Sequence, residues 1–151
     1  MNQTLTKTLT KADIKKLIPH REPILLVDKV TGWQTDAWLT STKRFAKNSE
    51  YFKGHFPGDL VLPGVLMIEA MAQSAAILSS LSRGVTSKEV YYLFTSIESA
   101  RFKTPLYPGQ TLDMRVEKQR EKLDIFQYTA TATVGGSLAA QAVFTAKLVR
   151  K

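Results

Sequence analysis

From residue 60 to residue 82 nearly every position is apolar or small, and Glu69 is the one charged side chain in that stretch. The run VLMIEAMAQSAAIL contains no Gly or Pro and is rich in Ala, Leu and Met, so it predicts a helix. Pro63 suits its first turn, where a missing N–H costs nothing. Gly84 suits its C-terminal stop. A helix on a protein surface carries a polar stripe. Here the polar groups amid the apolar run are Glu69 and Gln73, one turn apart on the same face, followed by small serines. The helix is therefore expected to be wrapped by the rest of the chain. Just before it, Pro57, Gly58, Pro63 and Gly64 break regular structure in a turn-rich loop that holds His55.

The flanking patterns predict strands and one short helix. Thr10-Lys11-Ala12-Asp13 resembles a capping box, with Asp in place of Glu, and opens a helix through Leu17 that Pro19 stops. Pro19-His20-Arg21-Glu22-Pro23 reads as a turn. Residues 24–30 (ILLVDKV) read as a largely buried strand that Gly32 onward can continue. Residues 38–45 read as a second strand, rich in aromatic and β-branched side chains. After the central helix, Val90–Phe102 reads as a strand closed by Pro105 and Pro108-Gly109. Residues 111–119 alternate, with Leu112, Met114 and Val116 facing one way. In Ile125–Val134 the inward set is Phe126, Tyr128, Ala130, Ala132 and Val134. Gly135-Gly136 is a hairpin turn. Residues 138–149 put Ala140, Ala142, Phe144, Ala146 and Leu148 on one side. Short links make the last three strands an antiparallel meander.

These elements sum to a single α+β domain over residues 1–151, with residues 1–9 as a loose N-terminal arm. An antiparallel sheet of five or six strands is expected to wrap around one long helix. Its open edges need cover, and pairing with a second copy is one way to supply it.

Composition adds limits. The 151 residues suit one sizeable core, and 44% hydrophobic with 23% charged residues is ordinary for a soluble globular protein. There is no cysteine, which excludes disulfides and thiolate metal sites and fits a reducing cytoplasm. The N-terminus has no apolar segment of the secretory kind. The central apolar run, broken by Glu69 and Gln73, is a poor membrane span. The net charge of +8 raises the question of nucleic acid. The basic residues are scattered, however, with no cluster longer than two and no nucleic-acid motif. A basic soluble surface, or one that steers an acidic protein partner, fits better.

The chemistry concentrates on His55 and Glu69. A histidine and a carboxyl group are the usual pair for moving protons near neutral pH. An apolar surround raises the pKa of Glu69 and lets it act as an acid. The helix start offers free N–H groups at Gly64 and Val65, able to hold a carbonyl oxygen and stabilise an enolate. Gly64 also lets a ligand approach the backbone closely. On the residues alone, a structural reading stands beside this one. A lone histidine in a Gly/Pro loop can serve the loop, and a lone buried Glu can simply bond to Gln73. His20, between Pro19 and Arg21, reads as a loop-orienting residue. No Ser sits in an elbow-like motif. Two histidines without ligand spacing give no metal site.

The stretch GHFPGDLVLPGVLMIEAMAQ, from Gly54 to Gln73, resembles the signature of the 3-hydroxyacyl-[acyl carrier protein] dehydratases of the FabZ type. Ile18-Pro19-His20-Arg21, the run from Ile24 to Val30, Arg101-Phe102-Lys103-Thr104-Pro105 and Pro108-Gly109 resemble further motifs of that family, in family order. The resemblance covers about residues 12–149. It implies a hot-dog fold, a homodimer joined sheet to sheet and often a hexamer, and active sites that face His55 of one chain with Glu69 of the other. It implies that His55 removes a C2 proton, Glu69 protonates the departing 3-hydroxyl, the Gly64 N–H holds the thioester carbonyl, and Gln73 orients Glu69. The acyl tail would occupy an apolar tunnel beside the helix, and no metal or redox cofactor is needed. The acidic acyl carrier protein would be the partner of the basic surface. Glu22-Pro23-Ile24 and Gln110 depart from the family pattern and bear on the tunnel mouth and the carrier surface. Glu rather than Asp at position 69 favours the branch that does not isomerise its product. The rival readings are a dehydratase of a specialised polyene or polyketide-like lipid pathway, a hot-dog thioesterase, and a non-catalytic acyl-binding hot-dog protein.

Overall fold

The computed structural model describes residues 7–151. In chain order the elements are α1 (Lys11–Leu17), β1 (Lys29–Gln34), β2 (Trp38–Arg44), a 3-10 turn (Glu50–Phe52), α2 (Gly64–Arg83), β3 (Val90–Phe102), β4 (Thr111–Lys122), β5 (Ile125–Val134) and β6 (Ser137–Arg150). The strands form one antiparallel sheet in the order β1-β2-β4-β5-β6-β3. The expected meander is its β4-β5-β6 run. α2 packs against β2, β4, β5 and β6. This is the expected α+β hot-dog arrangement, a sheet around one long helix.

Alternation builds the core. Leu112, Met114 and Val116 of β4 and Phe126, Tyr128, Ala130, Ala132 and Val134 of β5 are all buried. Ala130 faces Ala142 and Ala132 faces Ala140 across the β5–β6 ladder. Such short side chains let a helix lie close over the strands. α2 is long and apolar enough to cross a membrane, but 67% of its most apolar window is buried in the protein, as befits a core helix. Its C-terminus ends on Gly84 in the left-handed conformation, φ 68°, with the Gly84 N–H donating to Ser80 O. That conformation favours glycine.

The capping box on α1 forms as expected, with Thr10 and Asp13 bonding each other's backbone N–H. Three expectations shift. Pro63 is the N-cap of α2 and not a residue of its first turn. Residues 24–28 are not strand, although Leu25, Leu26 and Val27 are fully buried. A side chain takes up part of their backbone: Leu26 N–H donates to Gln73 Oε1 at 2.7 Å, and Gln73 Nε2 donates to Ile24 O at 2.8 Å, while the N–H groups of Ile24 and Leu25 donate to Arg21 O and that of Asp28 to Thr42 O. An amide side chain does there what a neighbouring strand would otherwise do. Finally, residues 1–6 of the expected arm lie outside the described residues, while Leu9 exchanges two backbone hydrogen bonds of 3.0 Å with Val30.

The two edges of the sheet differ. β1 is short, bulged between Val30 and Gly32, and flanked by Leu9. β3 is long, and it leaves Leu93, Phe94, Ile97 and Phe102 exposed.

Candidate active site

Glu69 lies in the second turn of α2. Gln73, one turn on and buried, donates from Nε2 to Glu69 Oε2 at 2.8 Å. The expected polar pair is therefore formed, and the same amide holds the loop at Ile24 and Leu26. Burial pushes the Glu69 carboxyl group above its ordinary range, and the Gln73 hydrogen bond pulls part of that back. Glu69 and Gln73 open on a small cavity of about 40 Å³ between α2 and β3, whose walls include His20, Tyr92, Leu93 and Phe94.

His20, expected to orient its loop, has a neighbour that ties the loop down. The loop is oriented by Arg21, whose guanidinium donates to Lys15 O at 2.9 Å, Ile18 O at 3.0 Å and His20 O at 2.7 Å. The imidazole itself turns to the acid, with Nε2 3.9 Å from Glu69 Oε2. Burial and the Arg21 charge both push its pKa down. A lowered histidine beside a raised carboxyl group is biased towards a neutral pair, because burial disfavours both charges. No local spacing reveals this contact. The only signal was the position of His20 inside the Pro19-His20-Arg21 motif.

His55 is set by its loop. Its N–H donates to Phe52 O at 3.1 Å, and its carbonyl accepts from Val61 N–H at 2.8 Å. Its Nδ1 lies 2.9 Å from Val61 O. A carbonyl only accepts, so Nδ1 carries a hydrogen, and in the neutral ring Nε2 is the nitrogen left with a lone pair. The ring stacks on Phe56 with centroids 4.2 Å apart.

Val61 also lines a groove of about 400 Å³ at the start of α2, with Gly64, Val65, Phe102, Lys103 and Pro105. The first-turn N–H groups of Gly64 and Val65 have no acceptor within the helix. Leu66 N–H closes onto Pro63 O at 3.0 Å. Gly64 lies close under a side chain: a Cβ there would stand 2.8 Å from Phe102 Cε1, and the exposed ring would have to move. Within one chain, then, Glu69 and Gln73 share one cavity, while Val61, which holds His55, shares the other with Gly64 and Val65. His55 does not line the cavity of Glu69. Among the described residues, no three His, Asp or Glu side chains gather as a metal ion would require.

Residues 18–143 match the FabA-like domain family. The 3-hydroxyacyl-[acyl-carrier-protein] dehydratase FabZ of Janthinobacterium sp. (strain Marseille) is 48% identical over 138 residues, covering 90% of this chain and 88% of that protein. The FabZ of Haemophilus influenzae is 38% identical over 142 residues, covering 94% of this chain and 95% of that one. Among solved structures, the dehydratase heterocomplex ApeI:P from Xenorhabdus doucetiae superposes with a TM-score of 0.78 at 15% identity, over 91% of both chains. That likeness is one of fold. With the family match and the two relatives, the chain belongs to the FabA-like family, among its FabZ-type dehydratases.

Proposed function

We propose that this protein converts a 3-hydroxyacyl thioester on acyl carrier protein to the trans-2-enoyl thioester and water in fatty-acid synthesis. It would act as one cytoplasmic hot-dog domain per chain. The observation that carries the reading is the Glu69 carboxyl group, held by Gln73 at 2.8 Å, raised by burial and opening on a small cavity. Burial shifts such a group towards its protonated form, which suits the role of an acid.

His55 is the base. Its Nε2 lone pair takes the proton from C2 as the C2–H bond breaks. The Gly64 N–H, with that of Val65 beside it, donates to the thioester carbonyl and stabilises the enolate. The electron pair then forms the C2=C3 bond as the C3–O bond breaks. Glu69 gives its proton to the departing hydroxyl, which leaves as water. Proton exchange with solvent resets both groups. No cofactor enters the balance.

Because His55 does not line the cavity of Glu69 in its own chain, a second copy is proposed to complete the site. The long β3 edge, with Leu93, Phe94 and Ile97 exposed, suits edge-to-edge pairing. Further assembly to a hexamer is compatible with that dimer. Lys103 in the wall of the groove suits an acidic carrier protein.

The test is a mass-spectrometric turnover assay with a 3-hydroxyacyl carrier-protein thioester. The wild-type protein is expected to remove one water, and His55→Ala and Glu69→Gln are expected to abolish that loss. Release of free acid and thiol would replace the reading with a thioesterase. An undiminished His55→Ala protein would remove the base.

A further inference from the structure

His20 takes no part in the proposed reaction, yet its imidazole lies within 4 Å of the acid. Three observations bear on it. Its Nε2 faces Glu69 Oε2 at 3.9 Å. Its Nδ1 is buried and has no hydrogen-bond partner. Both side chains line the same small cavity.

The buried Nδ1 decides the tautomer. A buried N–H without an acceptor costs more than a lone pair left bare beside apolar atoms, and a neutral imidazole carries one hydrogen. The hydrogen therefore sits on Nε2, where it faces a carboxyl oxygen. The other charged and titratable neighbours do not compete for it. Arg21 is spread over three carbonyls. Glu22 is paired with Lys15 at 3.0 Å. The Tyr92 hydroxyl is bonded to Ser80 Oγ at 2.6 Å.

Gln73 Nε2 already donates to that same oxygen, Oε2. Two donors converging on one carboxyl oxygen leave the other to hold the acidic proton. We propose that His20 is a positioning residue for the acid: its Nε2–H and the Gln73 amide both address Glu69 Oε2, which keeps the transferable proton on Oε1. As Oε1 gives that proton to the leaving hydroxyl, negative charge develops on the carboxylate, and the His20 Nε2–H closes on Oε2 to steady it. A separation of 3.9 Å is longer than a hydrogen bond, and contacts of this kind tighten when the reacting complex forms. The role rests on Glu69 being the acid.

The experiment compares His20→Met, which keeps bulk and removes the donor, with His20→Gln, whose amide restores one. With the acyl carrier thioester, His20→Met is expected to lose about 10- to 100-fold in kcat, the range for a hydrogen bond to a forming charge, with KM within about two-fold. His20→Gln is expected to recover most of that loss. In the resting protein, the carbon-13 carboxyl resonance of Glu69, assigned through Glu69→Gln, is expected to titrate at higher pH in His20→Met than in wild type, and to return towards wild type in His20→Gln. Equal losses in both variants with an unmoved Glu69 titration would make His20 structural and overturn the role. So would full activity in His20→Met.

A second measurement needs no variant. The nitrogen-15 shifts of His20 in the wild-type protein are expected to show hydrogen on Nε2, and hydrogen on Nδ1 would overturn the role. Because the two spectroscopic readings use no substrate, they stand or fall separately from the chemistry. An active Glu69→Gln protein would sink the acid, whereas an unmoved Glu69 titration would sink only its coupling to His20.

Discussion

The loops that carry His20 and His55 tie down their imidazoles in opposite ways. In the His55 loop Nδ1 meets the Val61 carbonyl at 2.9 Å. Nε2 is then a lone pair, the form a base needs. In the His20 loop Nδ1 is buried and meets nothing. Nε2 is then a donor, the form that suits a developing carboxylate. The same side chain is poised for opposite work by what stands behind it, and one carbonyl makes the difference. The comparison extends to neighbours. His20 lies against the acid within its own chain. His55 stands by the helix start, beside the groove of Gly64 and Val65.

The sharpest way to break this contrast is to remove base and acid separately. His55→Ala and Glu69→Gln are each expected to lower kcat by about 10²- to 10⁴-fold. If the two groups meet across copies, mixing the two inactive proteins and allowing subunits to exchange is expected to restore about a quarter of wild-type activity, since half of the dimers would then hold one intact site. No recovery would place both groups in one chain.

Stability separates the two loops next. Gln73→Leu strands the Leu26 N–H and the Ile24 carbonyl, and it is expected to cost about 2–4 kcal/mol, read as a lower denaturation midpoint. His55→Ala, on a half-buried loop, is expected to cost less than about 1 kcal/mol. Equal losses would erase the distinction between a loop stitched to the core and one laid over a groove.

At the helix start, Gly64→Ala forces a methyl group towards the Phe102 ring. The ring is exposed and can swing aside, so an increase in KM of about 3- to 10-fold is expected, with little loss of stability. An unchanged KM would separate the groove from the substrate path.

The smallest effect concerns pH. Folding raises the pKa of Glu69 because burial penalises the carboxylate. A carboxyl group raised on folding contributes stability that is fully present below its unfolded pKa and is lost as pH rises through its folded one. Wild type is therefore expected to lose stability with rising pH across that interval, and Glu69→Gln is expected to flatten the curve there. Urea midpoints measured at a series of pH values would show it, and parallel curves would contradict the buried setting of the acid.

Much of this was legible in the chain. The 20-residue helix around Glu69, its Gly84 stop and the alternating strands of the meander rest on local chemistry, and each formed where its pattern placed it. Residues 24–28 read as strand in sequence because their apolar run carries no sign of what their backbone pairs with. The pairing group, Gln73, lies on α2, and only the fold brings it there. The Glu69–Gln73 contact was legible because it follows helical spacing. The contact of His20 with Glu69 was not, since it joins a loop to a distant helix. The orphan Nδ1 of His20 was equally hidden, because an absent partner leaves no trace in sequence.

One amide in this molecule can serve as a gauge. The N–H of Leu26 is held by the same Gln73 side chain that turns Glu69. Its exchange with deuterium in solvent therefore clocks how often the acid loses its support. Local opening at that point requires far less of the structure to come apart than global unfolding does. As temperature rises, catalytic competence is expected to fade in step with protection of this single proton, while the sheet beneath still holds.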